Sequence, residues 1–189
     1  MHFRTNLFFS LLLGSIDGTM KLYQLSGKRL LQTFIHHSDG AKTEDKMTEE
    51  ETESKLSVEC IGFSSKDLHW VASGGLDNTM KVWDMNTGAC RCTCAHGGSV
   101  VSLKWHSTAP LVITAALDTF IRIWDSRTGT LVLQLTGHRD LVTCIETVPF
   151  PQSIFTGSEG RVNPTDLVIS MSDDHSAKIF HINSNLLMS

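Results

Sequence analysis

The apolar and polar positions of this chain do not follow a helical period. Short runs alternate or stay apolar and then break at turn formers, which is the pattern of strands in a β-meander. One group reads as four strands in a row: Ser99 to Trp105, Leu111 to Ala115, Thr119 to Trp124 and Leu131 to Leu135. Asp84 to Gly88 and Asp125 to Gly129 stand at equivalent places and predict hairpin turns, each closed by a glycine able to take positive φ. The one helix candidate, Thr43 to Ser54, has no apolar stripe and reads as disordered.

The strand groups repeat. An aspartate, three residues, a lysine or arginine, an aliphatic and an aromatic recur as Asp17…Lys21-Leu22-Tyr23 and Asp77…Lys81-Val82-Trp83. They recur again as Asp118…Arg122-Ile123-Trp124 and Asp174…Lys178-Ile179-Phe180. The aspartates are spaced by 60, 41 and 56 residues. The middle spacing is that of a four-stranded propeller blade, and the outer two are the same unit with an insertion.

Composition changes this picture little. Hydrophobic residues are 41% and charged residues 19%, a globular balance. The formal net charge is -4, and Asp39 to Lys55, with seven acids and three lysines, carries all of it. The remainder is neutral overall, which argues against nucleic acid or an anionic membrane as partner. No apolar segment approaches the ~20 residues of a spanning helix. Met1 to Leu13 has a basic residue and an apolar run, like a short signal peptide, but the run continues into the first repeat and reads as a buried strand.

Several residues invite chemistry. Cys90, Cys92 and Cys94 alternate along one predicted strand, where side chains on one face lie about 7 Å apart, too far for a tetrahedral metal site. They read as reduced thiols, which fits a cytoplasmic location. His36-His37 is an adjacent pair with no third ligand at zinc-like spacing. The sequence therefore assigns no catalytic residue, no metal and no cofactor.

The repeat resembles the WD40 family. Trp83-Asp84 and Trp124-Asp125 match its name-giving dipeptide, Gly137-His138 its Gly-His, and Ala95-His96 stands at the same place one repeat earlier. The resemblance implies a β-propeller whose blades each hold a hydrogen-bonded His, Ser or Thr, Asp and Trp. Carried over, the complete set is His96, Thr114, Asp118 and Trp124, with the imidazole donating to the carboxylate. Ser73, Asp77 and Trp83 match three positions, and His36 or His37 would supply the fourth. His138, Ser170 and Asp174 match, with Phe180 in place of Trp. The first copy has Leu13 in place of the hydroxyl. A Ser-His-Asp set also suggests a hydrolase, but a set that repeats with the blade period is architecture rather than one active site.

The expected fold is therefore all-β, an incomplete WD40 β-propeller of about three and a half four-stranded blades. Residues 1–38 form a partial blade of second, third and fourth strands, and 39–56 an acidic disordered insertion. Residues 57–96 and 97–138 are full blades. Residues 139–183 are a terminal blade with an insertion near 155–165, and 184–189 a tail. Such a count suits part of a longer protein, marginally soluble alone. The order of features is similar to the C-terminal part of the angio-associated migratory cell protein family. That resemblance implies a protein-interaction scaffold linked to cell migration. It also implies a chaperone-like role for a basic client such as a ribosomal protein, since the family includes a fungal ribosomal-protein chaperone. The alternatives are a secreted or cell-surface adhesion protein and a metal- or triad-dependent hydrolase.

Overall fold

A computed structural model describes residues 2–5, 10–36, 57–65, 69–149 and 165–183. Four antiparallel sheets follow one another along the chain. Sheet 1 is β1 (His2–Thr5), β2 (Ser10–Gly14), β3 (Thr19–Gln24) and β4 (Arg29–Ile35). Sheet 2 is β5 (Val58–Phe63), β6 (Trp70–Gly75), β7 (Thr79–Asp84) and β8 (Cys90–Ala95). Sheet 3 is β9 (Val100–Trp105), β10 (Leu111–Ala116), β11 (Ile121–Asp125) and β12 (Leu131–Leu135). Sheet 4 is β13 (Val142–Pro149), β14 (Thr165–Ser172) and β15 (Ala177–Asn183). Each strand pairs with its neighbours in chain order, so every sheet is a meander.

The first strands of successive sheets lie against each other, β1 with β5, β5 with β9 and β9 with β13. The sheets are thus arranged around their first strands, as propeller blades are. Core clusters fill the spaces between them. Leu12, Met20, Leu22 and Phe34 of sheet 1 meet Val58, Ile61, Val71 and Trp83 of sheet 2. Ala72, Met80 and Val82 meet Val100, Leu103 and Trp124. Ile113, Ile121 and Ile123 meet Val142, Ile145 and Val168. Apolar residues at every second position place one face of a sheet forward and the other back, so the central sheets are buried on both faces.

Two strand expectations need correction. Sheet 1 has a further strand, β1, registered on β2 from His2↔Gly14 to Thr5↔Leu11. Four residues are too short to show alternation, and the apolar run beginning at Leu7 hid the break between two strands. The third strand of sheet 3 starts at Ile121 rather than Thr119 because Thr119, at φ 70°, belongs to the preceding turn. The two glycine-closed hairpins form as expected. Gly88 and Gly129 both have φ 73°, and their N–H groups donate to the Asp84 and Asp125 carbonyls at 2.8 Å. The acidic insertion, the insertion near 155–165 and the tail lie outside the described residues, apart from Thr165 at the start of β14.

Candidate functional site

The residue after each repeat aspartate has positive φ: Gly18 (77°), Asn78 (62°), Thr119 (70°) and His175 (61°). A left-handed residue here reverses the chain between the second and third strands, and the preceding aspartate stabilises it by capping. Asp17, Asp77 and Asp174 each accept the N–H two residues on at 2.9 Å, and Asp118 does so at 3.3 Å. Thr19, Thr79 and Ser176 add a hydroxyl bond to the same carboxylates at 2.6–2.7 Å. The first duty of the four aspartates is therefore to form the turn. The sequence had placed Asp77, Asp118 and Asp174 only in the histidine network, and Asp17 only as a mark of the repeat.

That network forms across sheet boundaries. His36, following β4, approaches the Ser73 hydroxyl of sheet 2 at 2.6 Å through Nδ1 and the Asp77 carboxylate at 3.4 Å through Nε2. Trp83 Nε1 donates to the same hydroxyl at 2.9 Å. His138, following β12, sits 2.9 Å from Asp174 through Nδ1 and 2.7 Å from the Ser170 hydroxyl through Nε2. Ring and hydroxyl are buried in both cases. Each histidine thus fastens the sheet it leaves to the sheet it enters, and each hydroxyl is satisfied as buried polar groups must be. Burial opposes ionisation of Asp77, yet hydrogen bonds from His36 and Thr79 prevail and hold its carboxyl at about 2. Asp174 is held well below the usual carboxylate range by Ser176 and the Arg139 N–H, with His138 adding to them.

The set expected to be complete is arranged differently. His96 Nε2 meets the Thr114 hydroxyl at 2.8 Å, and Trp124 Nε1 donates to it at 2.9 Å. The other ring nitrogen, Nδ1, faces the Cys94 carbonyl at 3.1 Å rather than Asp118. Asp118 instead pairs with Arg122 at 2.7 Å and accepts the Gly97 N–H at 2.9 Å. The cause is local. The residue two beyond Asp118 is Phe120, with no hydroxyl to offer, and the cation on β11 is arginine where the other copies have lysine. A guanidinium matches a carboxylate fork better than an ammonium does.

Burial and the nearby Arg122 charge push His96 down to about 4 from an ordinary 6.5. The ring is therefore neutral at pH 7, with Nδ1–H donating to Cys94 and Nε2 accepting from Thr114. A depressed histidine costs stability as it is forced to charge. The full contribution is present above pH 6.5, and about 3 kcal/mol is lost as pH falls from 6.5 to 4. A His96→Gln variant should flatten the dependence of the unfolding midpoint on pH in that window. An unchanged slope would remove His96 as its cause.

Thr114 is fully buried and holds the His96 ring and the Trp124 indole together. Thr114→Val keeps the shape but leaves both partners without the hydroxyl. Urea unfolding should show a loss of about 1–3 kcal/mol, and a loss below half of that would mean the network adds little.

Asp174, His138 and Ser170 have the connectivity of a hydrolytic triad. Yet Ser170 is 0% exposed, as is Ser73 in the equivalent set, so substrate has no access to either hydroxyl. Among the described residues no group of three His, Cys, Asp or Glu is placed to hold a metal. Cys90, Cys92 and Cys94 are free thiols, and the Cys94 thiol is pushed far up by its hydrogen bond to Cys92 and by burial. No described helix is long and apolar enough to cross a membrane.

Comparisons with known proteins agree with the repeat. A WD domain, G-beta repeat model matches residues 49–84 and 129–181, and the WD40 domain model of anaphase-promoting complex subunit 4 matches 77–147. Angio-associated migratory cell protein of Homo sapiens is 31% identical over 170 residues, which is 90% of this chain and 35% of the relative. The chain thus spans about a third of the length of the curated relatives it matches. Among solved structures, Saccharomyces cerevisiae Sqt1 superposes with a TM-score of 0.73 at 18% identity, over 92% of this chain and 41% of that one. The computationally designed Ika8 protein superposes with a TM-score of 0.66 at 24% identity, over 95% of this chain and 45% of that one.

Proposed function

Because this chain belongs to the WD40-repeat family, we propose that it is a protein-interaction scaffold of the cytoplasm that holds a basic protein client, such as a ribosomal protein. One observation carries the reading. The residues that resemble catalytic machinery are engaged between sheets, with Ser73, Thr114 and Ser170 all 0% exposed. The chemistry left to the molecule is that of its surfaces and loops, where proteins of this family bind their partners. The acidic stretch Asp39 to Lys55 supports a basic client, because its net charge of -4 attracts cations over about a Debye length.

Fluorescence anisotropy with purified basic ribosomal proteins and acidic proteins of equal size tests this. The basic proteins should bind, and their affinity should weaken about tenfold or more between low and high salt. Equal binding of both sets, or none, would remove the basic client. A Glu49, Glu50 and Glu51 to Gln variant should slow association while leaving the unfolding midpoint unchanged.

A further inference from the structure

Register makes the fourth strands of sheets 1, 2 and 3 comparable position by position. Opposite Leu22, Val82 and Ile123 of the third strands stand Gln32, Cys92 and Leu133. Opposite Met20, Met80 and Ile121 stand Phe34, Cys94 and Leu135. The repeat is thus satisfied at these two positions by an amide with a phenyl ring, or by two leucines. The paired thiols of sheet 2 are not what a blade requires.

Their surroundings bring the two sulfurs together. Cys92 and Cys94 stand two residues apart on β8, so both point to the same side from positions about 7 Å apart. They face the β11–β12 turn of sheet 3. There the Cys92 thiol donates to the Ser126 carbonyl at 3.7 Å, and the Cys94 thiol to the Gly129 carbonyl at 3.6 Å. Gly129 has no side chain to fill the space before them. A Cβ at that residue would lie 3.4 Å from the Cys92 sulfur and 3.7 Å from the Cys94 sulfur, so one point is in contact distance of both. The two thiols are also hydrogen-bonded to each other. Cys94 is 1% exposed, whereas Cys92 is half-buried and gives the pair a way to solvent. The Cys90 thiol instead donates to the Cys92 carbonyl at 3.5 Å and pairs with the Thr93 hydroxyl at 3.7 Å.

Geometry selects the ligand. A metal–sulfur bond of about 2.3 Å sets two sulfurs ~4.6 Å apart across a linear centre and ~3.8 Å apart at a tetrahedral one. The tetrahedral ion also needs two further ligands, and among the described residues no group of three His, Cys, Asp or Glu is placed to hold a metal. Two thiols leaning together from a spacing of about 7 Å suit the linear centre. Soft thiolates select copper(I), whose filled d shell and single charge are satisfied by two thiolates in line.

We propose that Cys92 and Cys94 form a two-coordinate site for copper(I) between sheets 2 and 3. Both thiols give up their protons to solvent as the ion enters, so one cation is exchanged for two protons. Sulfur and copper keep their oxidation states throughout.

The reduced full chain, titrated anaerobically with copper(I) against a chromophoric copper(I) chelator, should take up one ion more tightly than any further one. Cys92→Ser should weaken that ion by more than the roughly 10–100-fold that loss of an outer-shell partner costs. Cys90→Ser and Cys144→Ser should leave it unchanged. The unaltered chain supplies a reading that does not depend on how any variant folds. One equivalent of copper(I) should stop alkylation of Cys92 by N-ethylmaleimide, mapped by mass, and leave exposed Cys90 open to it. X-ray absorption of the same sample should show two sulfur neighbours. Even spread of copper over the cysteines, protection of Cys90 in place of Cys92, or a third sulfur neighbour would overturn the proposal. So would a Cys92→Ser chain that is folded and binds copper(I) as tightly as the original.

Discussion

Replacing Trp124 by alanine is expected to remove about 3–5 kcal/mol from the free energy of unfolding. The indole is 6% exposed between sheets 2 and 3, and its ring lies 5.0 Å from that of His96. Its N–H also donates to Thr114 at 2.9 Å. Alanine would leave a cavity and at the same time withdraw a donor from a buried hydroxyl. The two effects separate with Trp124→Phe, which keeps most of the volume and loses only the donor, at about 1–2 kcal/mol. Against a typical total of 5–15 kcal/mol for a domain, the alanine variant would be partly unfolded at moderate urea. Denaturant midpoints measured side by side test this. If alanine costs no more than phenylalanine, the indole is not packed as described.

The second large effect is expected at Ile123. Its side chain is 0% exposed and packs with Val142, Ile145 and Val168 across the boundary between sheets 3 and 4. Ile123→Ala should cost about 2–5 kcal/mol, and Ile123→Val about 0.5–1.5 kcal/mol. The ratio matters as much as the size. Sheets that pack face to face leave little room to collapse around a void, so the cost should grow with the volume removed. An alanine variant within 0.5 kcal/mol of the original, the ordinary range of a surface substitution, would mean that sheets 3 and 4 do not share a core.

Much of the architecture was legible because strand alternation and repeat spacing are both local in the chain. Four aspartates in register, with apolar residues at every second position between them, were enough to place β2–β3, β6–β7, β10–β11 and β14–β15. The short strand His2–Thr5 was not legible, since its four residues show no period and only its pairing with β2 defines it.

The site was legible as a residue list and less so as a set of bonds. Ser73 with Trp83, Thr114 with Trp124, and Ser170 with His138 meet as the repeat implied. Which carboxylate meets which histidine was decided by residues outside the His, hydroxyl, Asp and Trp set. Phe120 withdrew a hydroxyl from Asp118, Arg122 claimed that carboxylate, and His96 turned to the Cys94 carbonyl. The signal was present in Asp118-Thr119-Phe120, the one copy without Thr or Ser two residues after the aspartate. A motif names the participants, but competition among neighbours assigns the partners.

These histidine, hydroxyl and carboxylate sets fasten sheet to sheet rather than perform catalytic chemistry. Ser170 tests it most directly, because its bonds to His138 and, through it, Asp174 come nearest to those of a working nucleophile. The native chain can be incubated with a fluorophosphonate that labels activated serines, and its intact mass recorded. The mass should stay unmodified for as long as the chain stays folded. A stoichiometric adduct on Ser170 would contradict it.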